Sequence, residues 1–245
     1  MFLFNKTFKI AFLFIFLAEL FSFFGYLLPT FNKTAFLIIA LLALVLSFYK
    51  LEYGIWILLA ELFIGSKGYL FYWEQDGFSV SIRMALWLIA LSVWVGKKIM
   101  EAVRNKKIEI EFLKSPFFYY FLFFFIFIGW GLLNGILKGN GWNNIFFDFN
   151  NWLYFALIFP LFDIINSREK FKNVLRIFIA SIGWLSLKTF FMLFIFSHNL
   201  IGMVYELYRW VRMSGVGEIT SMPSGFVRIF FQSHIFVLTG FFLLK

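Results

Sequence analysis

The side chains of this sequence best equipped for chemistry are two histidines, a few charges buried in apolar runs, and the arginines Arg83, Arg209, Arg212 and Arg228 beside those runs. A guanidinium presents a planar fork of donors that matches two phosphate oxygens at once, whereas a lysine offers a point charge. Across one set of alternate loops these four arginines accompany Lys33, Lys67 and Lys138, while the opposite loops are dominated by lysine. Membrane orientation does not require that skew, and it points to binding of a phosphate or pyrophosphate. His198, where an apolar run ends, is a weak candidate for a general base, a plain interfacial polar residue being the alternative. Arg228 and His234 lie six residues apart, about 120° from facing each other on a helix, so they form no obvious pair. Glu19, Glu61 and Lys188 sit within apolar runs, where ionised groups are costly. They are read either as a proton or cation path or as a structural ion pair or hydrogen bond, with Lys188 as a partner. The chain has no cysteine, hence no thiol nucleophile, disulfide or thiolate metal site. It also lacks a P-loop, a dinucleotide-binding glycine fingerprint, H-E-x-x-H and G-x-S-x-G, so the signatures of water-soluble catalysis are absent.

The elements that must position these groups are set by composition. Apolar residues make up 62% of the 245 positions and charged residues 14%, against about 45–50% and about 25% in soluble domains. The apolar positions come in runs long enough to cross hydrocarbon, without the alternation of a barrel. The expectation is an all-α, polytopic transmembrane helical bundle, one integral membrane domain over residues 1–245. About eight spans are expected, at residues 10–28, 34–49, 53–72, 81–96, 117–137, 152–165, 174–196 and 227–244. The first run follows Lys6 and Lys9 as a signal peptide would, but it contains Glu19 and lacks a clear small-x-small cleavage site, so it is read as a retained helix. The 41 phenylalanines are read as compositional bias, alongside abundant Ile, Lys and Asn, rather than as an aromatic pathway.

The formal charge of +9 resides mostly in short loops between runs, with dense clusters at residues 97–114 and 168–176. The positive-inside rule then places the amino terminus in the cytoplasm and accounts for the charge without nucleic acid. The stretch 197–226 is the longest non-spanning segment and becomes a periplasmic loop. Within it, residues 200–212 read as an interfacial amphipathic helix, with Ile201, Val204, Tyr205 and Tyr208 on one stripe and Glu206, Arg209 and Arg212 in another sector. Residues 214–225, with Gly215, Gly217, Pro223 and Gly225, read as irregular backbone. The last run ends one residue before Lys245, so a longer parent chain is expected, this being its amino-terminal part.

Two motifs carry a likeness. G-F-S-V-S-I-R at residues 77–83 leads into M-A-L-W-L-I-A-L, and R-M-S-G at 212–215 leads through P-S-G-F-V-R-I-F at 223–230 into the next run. With its many closely spaced spans, the chain resembles the O-antigen ligase and polymerase superfamily of bacterial envelope glycan assembly. The layout is shared over the whole chain and the motifs only over these stretches. That resemblance implies transfer of a glycan from an undecaprenyl-pyrophosphate carrier to a glycan acceptor, in the bacterial inner membrane and among its lipids, without metal or nucleotide. Arg212 and Arg228 would hold the pyrophosphate, with Arg83 and Arg209 as weaker candidates. The family's acceptor-activating histidine lies on a later periplasmic loop, which would fall beyond Lys245. Two other readings stand beside this one. A glycosyltransferase using a polyprenyl-phosphate sugar would carry an acidic residue on its first outer loop, and residues 29–33 have none. A glycan flippase or transporter would rest on Glu19, Glu61 and Lys188, but no inverted repeat is evident.

Overall fold

The computed structural model describes residues 4–75, 78–200, 202–222 and 225–243. Gly77, Ile201, Pro223 and Lys245, named above, lie outside the described residues. In chain order the elements are α1 (Lys6–Leu27), α2 (Pro29–Tyr49), α3 (Leu51–Ile64), β1 (Tyr72–Gln75), β2 (Phe78–Ser81), α4 (Ile82–Asn105), α5 (Phe118–Leu137), α6 (Trp142–Leu153), α7 (Ile158–Ile164), α8 (Arg168–Ser197), α9 (Val204–Met213), β3 (Gly217–Ser221), β4 (Val227–Phe231) and α10 (His234–Leu243). They fall into two compact units, Met1–Ala90 with Arg168–Lys245, and Leu91–Ser167.

Among the described residues, five helical stretches are long and apolar enough to cross a membrane: Lys6–Leu27, Pro29–Tyr49, Phe118–Leu137, Asn144–Ile164 and Arg168–Ser197. Their outward side chains include Leu37, Ile38, Leu41, Phe123 and Phe127, all more than half exposed, a surface suited to hydrocarbon rather than water.

Local chemistry sets the boundaries in the first unit. The Asn5 side chain accepts from the Phe8 N–H at 3.1 Å and caps α1. Extended Leu28 breaks the chain, and Pro29, which needs no N–H partner there, opens α2. Lys50, also extended, is the whole connection between α2 and α3, which pack together as a helical hairpin. Their approach depends on Gly54, where a Cβ would fall 1.8 Å from Ser47 Oγ.

Several expected spans take a different form. The run 53–72 is helical only to Ile64, because Gly65 ends α3 and a tight turn follows, with Ser66 at φ 53° and Gly68 at φ 88°. A Cβ on Gly68 would lie 2.6 Å from Arg83 Cβ, so the turn wraps that arginine closely. The run 227–244 begins as a strand: β4 pairs antiparallel with β3, placing Thr220 opposite Arg228 and Gly217 opposite Phe231. Within the stretch expected to be irregular, Gly217–Ser221 is therefore one strand of a hairpin, and α10 has ten described residues. Five residues rich in Val, Ile and Phe fit a half-buried strand as well as a helix, and periodicity does not separate the two at that length. The run 152–165 is the end of a longer helical path that starts at Trp142 and passes through a 3-10 turn at Tyr154–Leu157. Finally, α4 continues to Asn105, past the expected end at residue 96.

In the second unit, Phe112 is fully buried, its ring 5.0–6.0 Å from those of Phe118, Phe121, Phe159 and Phe162. Asp163 accepts from Trp94 Nε1 at 2.8 Å and from the Glu111 N–H at 3.1 Å, and it pairs with Lys98 at 2.9 Å. By contrast α5 buries none of its residues.

Candidate functional site

Helix α9 packs on the carboxyl-terminal part of α1 through Leu207, Trp210 and Val211, all buried. Trp210 Nε1 donates to Ser22 Oγ at 3.1 Å, its ring lies edge-on to Phe23 at 5.9 Å, and Tyr26 Oη donates to Glu206 Oε2 at 2.8 Å. This corrects the expected apolar stripe: Tyr205 is 61% exposed, and Val204 and Tyr208 are only half-buried. Tyrosine scores as apolar in a periodicity pattern, yet its hydroxyl favours a wet edge, and here the i, i+3, i+4 set of Leu207, Trp210 and Val211 takes the core.

The tyrosines instead hold the arginines. Arg212 Nη1 donates to Tyr208 Oη at 2.8 Å, with Cζ 5.6 Å from the ring centre. One turn earlier, Arg209 Nη1 donates to Tyr205 Oη at 3.2 Å, with Cζ at 5.5 Å. Two Tyr–Arg pairs at i, i+4 thus lie side by side, each guanidinium held by a hydrogen bond and a cation–π contact. The hydrogen bond to Tyr205 raises the Arg209 pKa further, keeping it a permanent cation. Tyr205, Tyr208 and Arg212 line a cavity of about 720 Å³ where α8 finishes, together with Asn199, Thr220 and Ser221. The cavity offers a cationic fork, two aromatic faces, an amide and two hydroxyls. Such a set suits a phosphorylated sugar: carbohydrate faces lie on rings, hydroxyls pair with amide and hydroxyl groups, and phosphate oxygens take the guanidinium.

The other sequence candidates are dispersed. Arg228 is not at the start of a helix; it is an exposed residue of β4 and the cross-strand partner of Thr220. Opposed residues project from the same sheet face, so Arg228 borders the cavity through Thr220 without lining it. Arg83 is buried, its Nε 2.7 Å from Glu61 Oε2 and its Nη2 3.3 Å from Glu61 Oε1, and Nη1 also donates to the Ser66 carbonyl. That bidentate bridge makes Arg83 the counter-charge of Glu61 and directs its fork into the protein. His198 is exposed, with Nδ1 2.9 Å from the Phe194 carbonyl one turn back, and it is not among the residues lining the cavity.

The charges within the apolar runs are likewise paired. Lys188 Nζ donates to Glu19 Oε1 at 2.5 Å, both side chains being almost wholly buried, and lies 4.5 Å from the centre of the Phe231 ring. Nearby, Thr189 donates to the Leu185 carbonyl at 2.7 Å and has His234 Nε2 at 2.9 Å. The hydroxyl proton being already engaged, His234 donates through Nε2–H and accepts from the Phe231 N–H at Nδ1. Sequence reasoning missed Asn199, Thr220, Ser221 and the Tyr–Arg pairing. Only the last had a visible signal, the repeated spacing Y-x-x-x-R at 205–209 and 208–212. Among the described residues no cluster of His, Asp and Glu suits a metal. No protein-family model, curated protein or solved structure matches the chain.

Proposed function

We propose that this chain binds a glycan carried on a polyprenyl pyrophosphate and takes part in its transfer at the periplasmic face of a bacterial inner membrane, as the O-antigen ligase and polymerase superfamily does. In this reading the chain spans the membrane about eight times from a cytoplasmic amino terminus, and the Arg212 cavity opens at the periplasmic side. The observation that carries it is the arginine fork fixed on Tyr208 inside a cavity that also holds sugar-compatible groups. A pyrophosphate leaving group gathers negative charge as the glycosidic bond breaks, and a pre-oriented cation beside it lowers the barrier. The reduced dielectric at the hydrocarbon edge strengthens that attraction.

The transporter reading draws less support, because Glu19 and Lys188 pair with each other and Glu61 with Arg83. The test is Arg212→Lys in the full-length protein, scored for membrane abundance, for retention of undecaprenyl pyrophosphate by the purified protein, and for glycan transfer in cells. Normal abundance with carrier retention and transfer largely lost is the expected result, since lysine keeps the charge but not the fork. Near-normal retention and transfer in Arg212→Lys overturns the proposal.

A further inference from the structure

The Arg212 cavity is lined by two donors whose protons are unspent. Tyr205 and Tyr208 both face it, at i and i+3 on α9, so their side chains are neighbours on one side of the helix. Each hydroxyl oxygen accepts one hydrogen bond from an arginine, Tyr208 from Arg212 at 2.8 Å and Tyr205 from Arg209 at 3.2 Å. A phenol carries one proton besides its lone pairs, and an oxygen that accepts from an arginine must turn that proton elsewhere. Among the described residues neither hydroxyl finds an acceptor for it.

The surroundings define the acceptor that fits. Among the described residues lining the cavity Arg212 carries the only charge, and no carboxylate joins it. Glu206, on the same helix, is turned to α1, where it accepts from Tyr26 at 2.8 Å. An arginine that donates to a phenol oxygen polarises the O–H, so each tyrosine is a stronger donor than it would be alone. Strong donors beside a fixed cation, with no protein anion to take them, suit phosphate oxygens better than neutral sugar hydroxyls. The Tyr–Arg unit also occurs twice, about one helical turn apart, which suits a ligand carrying two adjacent phosphates.

We propose that Tyr205 and Tyr208 are direct ligands of the carrier's diphosphate, each hydroxyl donating to one phosphate group while its arginine orients and polarises it. This inference rests on the glycan-carrier reading and deepens it. The phosphate held by Arg212 takes the Tyr208 proton, and the second phosphate takes that of Tyr205. The Tyr205–Arg209 pair is then the part of the site that tells a diphosphate from a monophosphate. Asn199, Thr220 and Ser221 are left to the sugar.

The experiment titrates the purified full chain in detergent with undecaprenyl pyrophosphate and with undecaprenyl phosphate, read by native mass spectrometry, with thermal unfolding as the check on folding. Phenylalanine keeps each ring and its contact with the guanidinium but removes the hydroxyl. Tyr208→Phe should weaken both carriers about tenfold or more, as loss of a hydrogen bond to a charged group implies. Tyr205→Phe should weaken the pyrophosphate by a similar factor and leave the monophosphate unchanged, which narrows the preference between them. A cycle with Arg212→Met separates direct contact from mere positioning of the guanidinium. A tyrosine that donates to the ligand still matters when residue 212 is methionine, whereas one that only holds Arg212 has nothing further to lose. Wild-type affinity in both phenylalanine variants, or no effect of Tyr208→Phe in the Arg212→Met background, overturns the proposal. Should Tyr208→Phe not fold, Tyr205→Phe decides, and an unchanged preference there refutes the two-phosphate arrangement. Failure of the wild-type chain to bind either carrier overturns the glycan-carrier reading itself, an outcome distinct from tight binding that ignores the tyrosines.

Discussion

Removal of Lys188 alone should unfold this protein far more readily than removal of Lys188 and Glu19 together. The two charges stand 2.5 Å apart with side-chain exposures of 3% and 2%. At an effective dielectric constant of about 20 that separation corresponds to about 7 kcal/mol of gross attraction, most of it offset by the cost of taking both ions out of water. Lys188→Met therefore forfeits little net pairing energy, but it leaves a buried carboxylate whose Oε2 already has no partner among the described residues. The expected cost is about 3–5 kcal/mol, seen as a fall of about 6–20 °C in the unfolding temperature in detergent. The double variant Glu19→Leu with Lys188→Met replaces both ions by apolar groups and should recover most of that loss. A cycle of the four proteins isolates the coupling. A cost below about 1 kcal/mol for Lys188→Met, or a double variant as damaged as the sum of the singles, would refute this account of the pair.

Gly68→Ala should destabilise by about 2–4 kcal/mol, combining a left-handed backbone with a contact against Arg83, while Gly96→Ala, mid-helix with nothing near its Cβ, should be neutral or gain up to about 1 kcal/mol; thermal unfolding measures both. In this cysteine-free chain, Glu218→Cys should react with an impermeant thiol reagent in intact cells and Asn105→Cys should not; the reverse pattern inverts the proposed topology. Arg228→Lys should retain membrane abundance and lose less transfer than Arg212→Lys, because Arg228 borders the cavity only through Thr220; an effect larger than that of Arg212→Lys would make Arg228 the principal phosphate ligand.

The helices α1, α2, α5 and α8 were legible because each is a long apolar run whose length alone separates it from a strand. Lys188 was legible as a partner for a carboxylate within the apolar runs, since such charges are few and need one another, but the choice of Glu19 over Glu61 was not. The Glu61–Arg83 bridge was not, because its partners face each other only after the chain reverses at residues 65–68, and a turn of that kind hides inside an apolar run. The hairpin β3–β4 escaped for a different reason: Gln232, Ser233 and His234 do mark the passage from the strand 227–231 to α10, but a three-residue polar break does not by itself divide an apolar run of that length. At the site, the arginines announced themselves by type and location, but the residues that shape the cavity did not. Asn199, Thr220 and Ser221 carry no pattern of their own, and only the fold of the hairpin against α9 brings them beside Arg212.

The Glu19–Lys188 pair also has a history within each molecule's synthesis. The partners are separated by 169 residues, so at translation rates of about 5–20 residues per second α1 exists for about 10–30 s before Lys188 is made. During that interval Glu19 has no counter-charge from α8, and α1 and α2 must pack together without it. Packing of α8 against α1 is thus a late step of assembly, and it is the step that neutralises the earliest-made buried charge. A nascent chain arrested before Lys188 would keep an unmatched carboxylate within its first helix, a chemical mark that sets the unfinished protein apart from the finished one.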